Sequence, residues 1–175
     1  MLKFNTYIMR KLNFLKTIVD LVWIFSLFTI PAIIILAVLF FIKGNNIDIP
    51  VKINGTLFNY EGVASKVYLV FSFISYLLIV FALYYFRKIL HLFQQIKIFD
   101  NNVIEYFKKI GNLLIISAVI GYVVEIIYKI YSKEMTIQIG VNFYTIIFSV
   151  GLFSLVLSEI FSIAKQNKDE VDFTV

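Results

Sequence analysis

Three carboxylates in this chain, Asp20, Glu125 and Glu159, lie in or at the ends of long apolar runs. An ionisable side chain is expensive to keep there and is a functional candidate by default. Asp20 and Glu159 each stand about one helical turn in from the same boundary of their runs, and Arg87 and Lys88 close another run at that boundary. Brought together, Asp20, Arg87, Lys88 and Glu159 would make an intramembrane polar cluster. It would be paired and charged, or the carboxylates would share a proton if the bases point away. Structural pairing, a response to a signal or ligand, and proton movement are the roles open to such a cluster. Glu125 has Lys129 four positions later, the favourable order for an i,i+4 ion pair, and reads as a structural pair at the rim.

Little else invites chemistry. Cysteine is absent, which removes disulfides, thiolate nucleophiles and thiolate metal sites, and His91 is the single histidine. No nucleophile–base pair, metal cluster or phosphate loop can be assembled from the remaining polar residues. No catalytic, metal or cofactor-binding residue is therefore expected, and the chain reads as a non-enzyme that needs no cofactor.

The elements that position these residues are four apolar runs at about 17–42, 65–86, 110–128 and 143–163. Each is long enough to cross a hydrocarbon core of about 30 Å as a helix. The 175 residues are 61% hydrophobic and 15% charged, well below the charge content of a soluble domain. Residues 1–175 read as one membrane domain with no room for a separate soluble one. With both termini cytoplasmic, eleven basic residues lie inside, against five outside at Lys43, Lys52, Lys66, Lys129 and Lys133. That is the positive-inside pattern, and it accounts for the net charge of +5 without nucleic acid. The expected location is a bacterial inner, cytoplasmic membrane, spanned several times.

Residues 1–16 mix apolar and basic side chains and read as an amphipathic segment lying at the inner interface before the first span. Pro31 removes a backbone donor inside that span and predicts a kink. In the outer loop 43–64, Ile47, Ile49, Val51 and Ile53 alternate with polar residues or proline up to Asn54-Gly55, a hairpin signal. Met135, Ile137, Ile139 and Val141 alternate likewise in the outer loop 129–142. A small extracytoplasmic β cap of about three strands, built from the first and third loops, is expected. The cytoplasmic loop 87–109 continues the helical apolar face of the second span to Ile96, breaks at Phe99-Asp100-Asn101-Asn102, and restarts as a helix. The cytoplasmic tail 164–175 reads as polar and mostly unanchored. The expected fold class is thus an all-α membrane protein, a four-transmembrane-helix bundle with both termini cytoplasmic.

Phe99-Asp100-Asn101-Asn102, Phe107-Lys108-Lys109-Ile110-Gly111, Glu159 near the end of the last span, and the terminal Glu170-Val171-Asp172-Phe173-Thr174-Val175 make the chain resemble the DUF2975 family of small four-helix bacterial membrane proteins. The ending Phe-Thr-Val departs mildly from the Leu-Thr-Val or Leu-Thr-Ile of many relatives. The resemblance implies a neighbouring small helix-turn-helix regulator as partner. The expected function is protein binding that sequesters or signals to such a cytoplasmic transcription factor. Phe99, Asp100, Asp169, Glu170, Asp172, Phe173 and Val175 are the candidate contacts, since acidic residues can compete with phosphates for a basic DNA-binding face. The alternatives are a small proton, ion or solute transporter using Asp20 and Glu159, and a non-catalytic membrane subunit or scaffold.

Overall fold

A computed structural model describes residues 2–43, 52–53, 56–57, 62–132 and 142–173. Four helices account for nearly all of them: α1 (Leu2–Lys43), α2 (Val63–Gln94), α3 (Asn101–Ser132) and α4 (Phe143–Phe173). Between α1 and α2, the two-residue stretches β1 (Lys52–Ile53) and β2 (Thr56–Leu57) pair antiparallel, Lys52 opposite Leu57 and Ile53 opposite Thr56. The architecture is otherwise helical. The Asn54-Gly55 turn and the third strand expected at 135–141 lie outside the described residues.

All four helices are long and apolar enough to cross a membrane. Phe25, Phe28 and Ile35 on α1 and Phe153, Val156 and Ile160 on α4 stand more than half exposed. Water would penalise that surface heavily and lipid does not. The protein is a multi-pass membrane protein with four spans.

Two expectations are corrected here. Residues 1–16 are not a separate interfacial segment: from Leu2 onward they belong to α1, whose 42 residues continue through Pro31 to Lys43. No Gly or Pro interrupts positions 2–30, so nothing there turns the chain. At 1.5 Å per residue α1 is about 63 Å long, twice the hydrocarbon core. Nor do the helices close into a bundle. They follow one another in chain order, α1 packed on α2, α2 on α3 and α3 on α4, with Phe161 of α4 reaching Phe93 of α2 at one end and α1 apart from α4. Between Leu21 and Ile42, α1 exposes many large apolar side chains away from α2, among them Phe25, Phe28 and Ile35.

Lipid tails supply no hydrophobic drive between helices, so small residues and hydrogen bonds must decide the packing. On α2 and α3, Ser75 and Ser117 clasp each other inside the protein. Their hydroxyls lie 2.8 Å apart, and each donates to the other's backbone carbonyl at 2.9 Å. Toward the end away from the termini, Tyr68 stacks on Tyr128 at 4.6 Å beside Phe40 and Leu69. Toward the other end, Ile89, Val103, Phe107 and Ile110 form a buried cluster with Ala82 and Leu114. On α3 and α4, Gly111 and Gly151 let the backbones approach, and Gly121 receives the ring of Tyr144. The Ser158 hydroxyl donates to the Ile104 carbonyl at 2.9 Å.

A methyl group at Gly111 would lie 2.6 Å from Leu155 and 2.9 Å from the Gly151 carbonyl oxygen. A side chain can rotate away, but that carbonyl belongs to a helix backbone and cannot. Gly111→Ala is therefore expected to destabilise the protein by about 1–3 kcal/mol, read by reversible unfolding in mixed micelles. Ser149→Ala, an exposed hydroxyl bonded only to its own helix, should leave stability unchanged.

Candidate functional site at the end carrying the termini

The start of α1, the end of α2, the start of α3 and the end of α4 share one end of the molecule, and most of its charged and hydrogen-bonding side chains gather there. On α1, Asn13, Lys16, Asp20 and Trp23 recur at helical spacing and form one stripe facing α2. Lys16 donates to Gln94 Oε1 at 2.9 Å, and Gln94 Nε2 donates to Asn13 Oδ1 at 2.7 Å. Arg87 Nε donates to Asp20 Oδ1 as an ion pair, both side chains little more than a quarter exposed. The Arg87 guanidinium carbon lies 4.0 Å from the centre of the Trp23 ring, a cation–π contact that adds to the pair. Deeper in, Tyr76 donates to the Ser26 carbonyl at 3.1 Å and meets the Thr29 hydroxyl.

Of the four residues expected to form the intramembrane cluster, the fold brings Asp20 and Arg87 together. Lys88 turns toward α3. Its ammonium lies 4.6, 5.8 and 5.5 Å from the ring centres of Tyr84, Tyr85 and Tyr106. Glu159 does not join them: it is exposed on α4, which packs on α3 and reaches α2 through the Phe161–Phe93 ring contact, while Asp20 is on α1, which packs on α2. Among the described residues it forms no ion pair. Glu125 sits at the other end, bonded to Lys129. At 2% exposure it is a core residue rather than a rim one.

The turn between α2 and α3 is more specific than its composition suggests. Ile96 N–H bonds to the Phe93 carbonyl and Lys97 N–H to the Leu92 carbonyl, both at 3.0 Å. This is the Schellman closure, in which the residue after the cap adopts a left-handed conformation and is usually glycine. Here it is Ile96, with φ of +61° and 67% exposure. A β-branched residue there is strained by about 1–2 kcal/mol. The chain keeps a strained backbone and displays an apolar side chain beside the exposed Ile98 and Phe99. Asp100 then opens α3, its Oδ1 accepting from Asn102 N–H at 2.9 Å and from Asn102 Nδ2 at 2.8 Å. Its carboxylate is thus engaged in a local cap.

The tail corrects another expectation. It is neither irregular nor unanchored: α4 continues to Phe173, and Lys165 Nζ donates to Asn101 Oδ1. One turn later, Lys168 Nζ lies 5.8 Å from the ring centre of Phe99. The two segments expected to contact a partner thereby become one surface. Phe99, Ile96 and Ile98 come from the turn, and Asp169 and Glu170, both exposed, come from the helical tail beside exposed Val171. The side chains of Asp172 and Phe173, and all of Val175, lie outside the described residues. Sequence reasoning missed Trp23, Tyr106, Lys165 and Lys168 as positioning residues. The 3–4 spacing of Asn13, Lys16, Asp20 and Trp23 was the available signal for the first.

Residues 18–175 match the family described as a protein of unknown function, DUF2975. No curated protein and no solved structure matches the chain.

Asp20→Asn and Arg87→Gln are each expected to destabilise the protein by about 1 kcal/mol, the pair being partly screened. The double variant should lose less than the sum, because both single changes break one contact. Denaturation of all three variants and the parent measures this. Ile96→Gly should raise stability by about 1 kcal/mol by removing the strained conformation, seen as a higher unfolding midpoint.

Proposed function

The chain belongs to the DUF2975 family, and we propose that its end carrying the termini faces the cytoplasm and docks a protein partner, a small helix-turn-helix regulator. Eleven basic residues against five support that orientation, which in a bacterium places the protein in the inner membrane. The observation that carries the docking reading is the attachment of the α4 tail to the α2–α3 turn through Lys165–Asn101 and Lys168–Phe99. It sets apolar Ile96, Ile98 and Phe99 beside acidic Asp169 and Glu170 on a fixed scaffold. An apolar centre with acidic neighbours complements a basic DNA-binding face, and occupying that face would keep the regulator from phosphates. Ile96 fits the same account, since its strain persists where an exposed anchor is useful. Transport through paired Asp20 and Glu159 draws no support from a fold in which those residues stand on helices that do not meet.

The test places a photo-crosslinking residue at position 171 of the full chain in its native membrane. The expected result is an adduct with a helix-turn-helix protein, reduced at least about tenfold by the charge reversals Asp169→Lys and Glu170→Lys together. Ile96→Gly should weaken the adduct while raising stability, which separates loss of an anchor from loss of fold. An adduct indifferent to all of these changes, or no adduct with a DNA-binding protein, would sink the reading.

A further inference from the structure

Arg87 and Lys88 are consecutive, yet the fold treats their charges differently. Arg87 is answered by the Asp20 carboxylate on α1. Lys88, on the side of α2 that meets α3, forms no ion pair among the described residues, and its ammonium is faced by the rings of Tyr84, Tyr85 and Tyr106. A second ammonium shares this aromatic floor: Lys109 Nζ lies 5.4 Å from the centre of Tyr85. Lys109 is partly offset by Glu105 at 2.6 Å, with both side chains well exposed. Among the described residues, two ammoniums against one carboxylate leave one positive charge between α2 and α3 without an ion-pair partner.

The location says what anion could reach it. Tyr84-Tyr85-Phe86 ends the apolar run of α2 and Ile110 begins that of α3, so the cluster sits where hydrocarbon gives way to headgroups. Tyrosines are favoured at that level because one end of the ring is apolar and the other polar. One helical turn deeper, Phe81 is 57% exposed and presents an apolar surface along which an acyl chain can lie. Two ammoniums between two helices at this depth match a phosphodiester attached to acyl chains. The geometry points to a site for the phosphate of an anionic phospholipid, held by Lys88 and Lys109 over Tyr84, Tyr85 and Tyr106 in the leaflet on the side of the termini.

Trp23 is the single tryptophan, and its ring centre lies 6.4 Å from that of Tyr84, which Lys88 faces. It can be excited apart from the tyrosines and serves as a built-in reporter. The experiment reconstitutes the full chain in nanodiscs of phosphatidylglycerol and phosphatidylcholine, brominating the acyl chains of one lipid at a time. Trp23 quenching then gives the local enrichment of each. The expected result is enrichment of phosphatidylglycerol by about fivefold. Lys88→Gln/Lys109→Gln should abolish it and Lys88→Arg/Lys109→Arg retain it, since the latter keeps both charges. Arg10→Gln/Lys97→Gln removes two exposed charges from the same end and should also retain it. Equal quenching by the two lipids in the parent chain would overturn the proposal. So would enrichment that survives loss of both lysines, falls equally in the Arg10/Lys97 control, or is displaced by excess soluble glycerol phosphate. Native mass spectrometry of the parent chain gives a check independent of any variant: phosphatidylglycerol should stay bound under conditions that strip phosphatidylcholine, and equal loss of both would count against the site.

Discussion

The ion pair between Asp20 and Arg87 is the contact on which the placement of α1 most depends. Among the described helices the backbone of α1 packs on that of α2, and its buried apolar side chains are Val19 and Phe40. Where α1 crosses the hydrocarbon core, lipid would exert no pull toward any neighbour. Direction must therefore come from polar groups, and the stripe Asn13, Lys16, Asp20 and Trp23 supplies it against Gln94, Arg87 and Tyr84. The same logic runs through the successive helices. Ser75 and Ser117 fix α2 on α3, while the glycine contacts and the Ser158 hydroxyl fix α3 on α4. Each neighbouring pair has its own polar or close-packing device, and the apolar cluster at the end of the termini ties α2, α3 and α4 together.

That packing positions the proposed docking surface. Once α2 and α3 are in register, their connecting turn is held in a tight closure that projects Ile96, and the start of α3 presents Asn101 to Lys165. Once α3 and α4 are in register, the extension of α4 beyond the apolar core reaches that turn. Its position follows from packing near the Gly111–Gly151 approach, and two lysines then secure it. The tail gains order from its contacts with the turn, which would lower the entropic cost of binding the proposed partner.

The spans were legible because a run of about twenty apolar residues has few other solutions, and the break at Phe99-Asp100 was legible because a capping residue follows a helical apolar face. The tail misled because Lys165, Lys168, Asp169 and Glu170 read as a solvated segment; nothing local announces that two of them meet residues more than sixty positions away. Asp20 and Glu159 were grouped because depth along a span can be counted in sequence, whereas which helices are neighbours cannot. Arg87 and Lys88 looked equivalent for the same reason, and only the fold sends one to α1 and the other to α3. Glu125 was paired by its spacing to Lys129, while its burial is set by tertiary packing that local sequence does not announce.

The absence of native cysteine gives the most direct test of whether the tail and the turn form one surface. Phe99→Cys and Lys168→Cys, introduced together, would be treated in intact membranes with a short thiol-to-thiol cross-linker, beside a control pairing Phe99→Cys with Asn167→Cys, an exposed neighbour in the tail. The account predicts rapid intramolecular cross-linking at 99 and 168 and much slower reaction in the control. Equal rates in the two pairs would mean that the tail is not held against the turn, and the built surface would not exist.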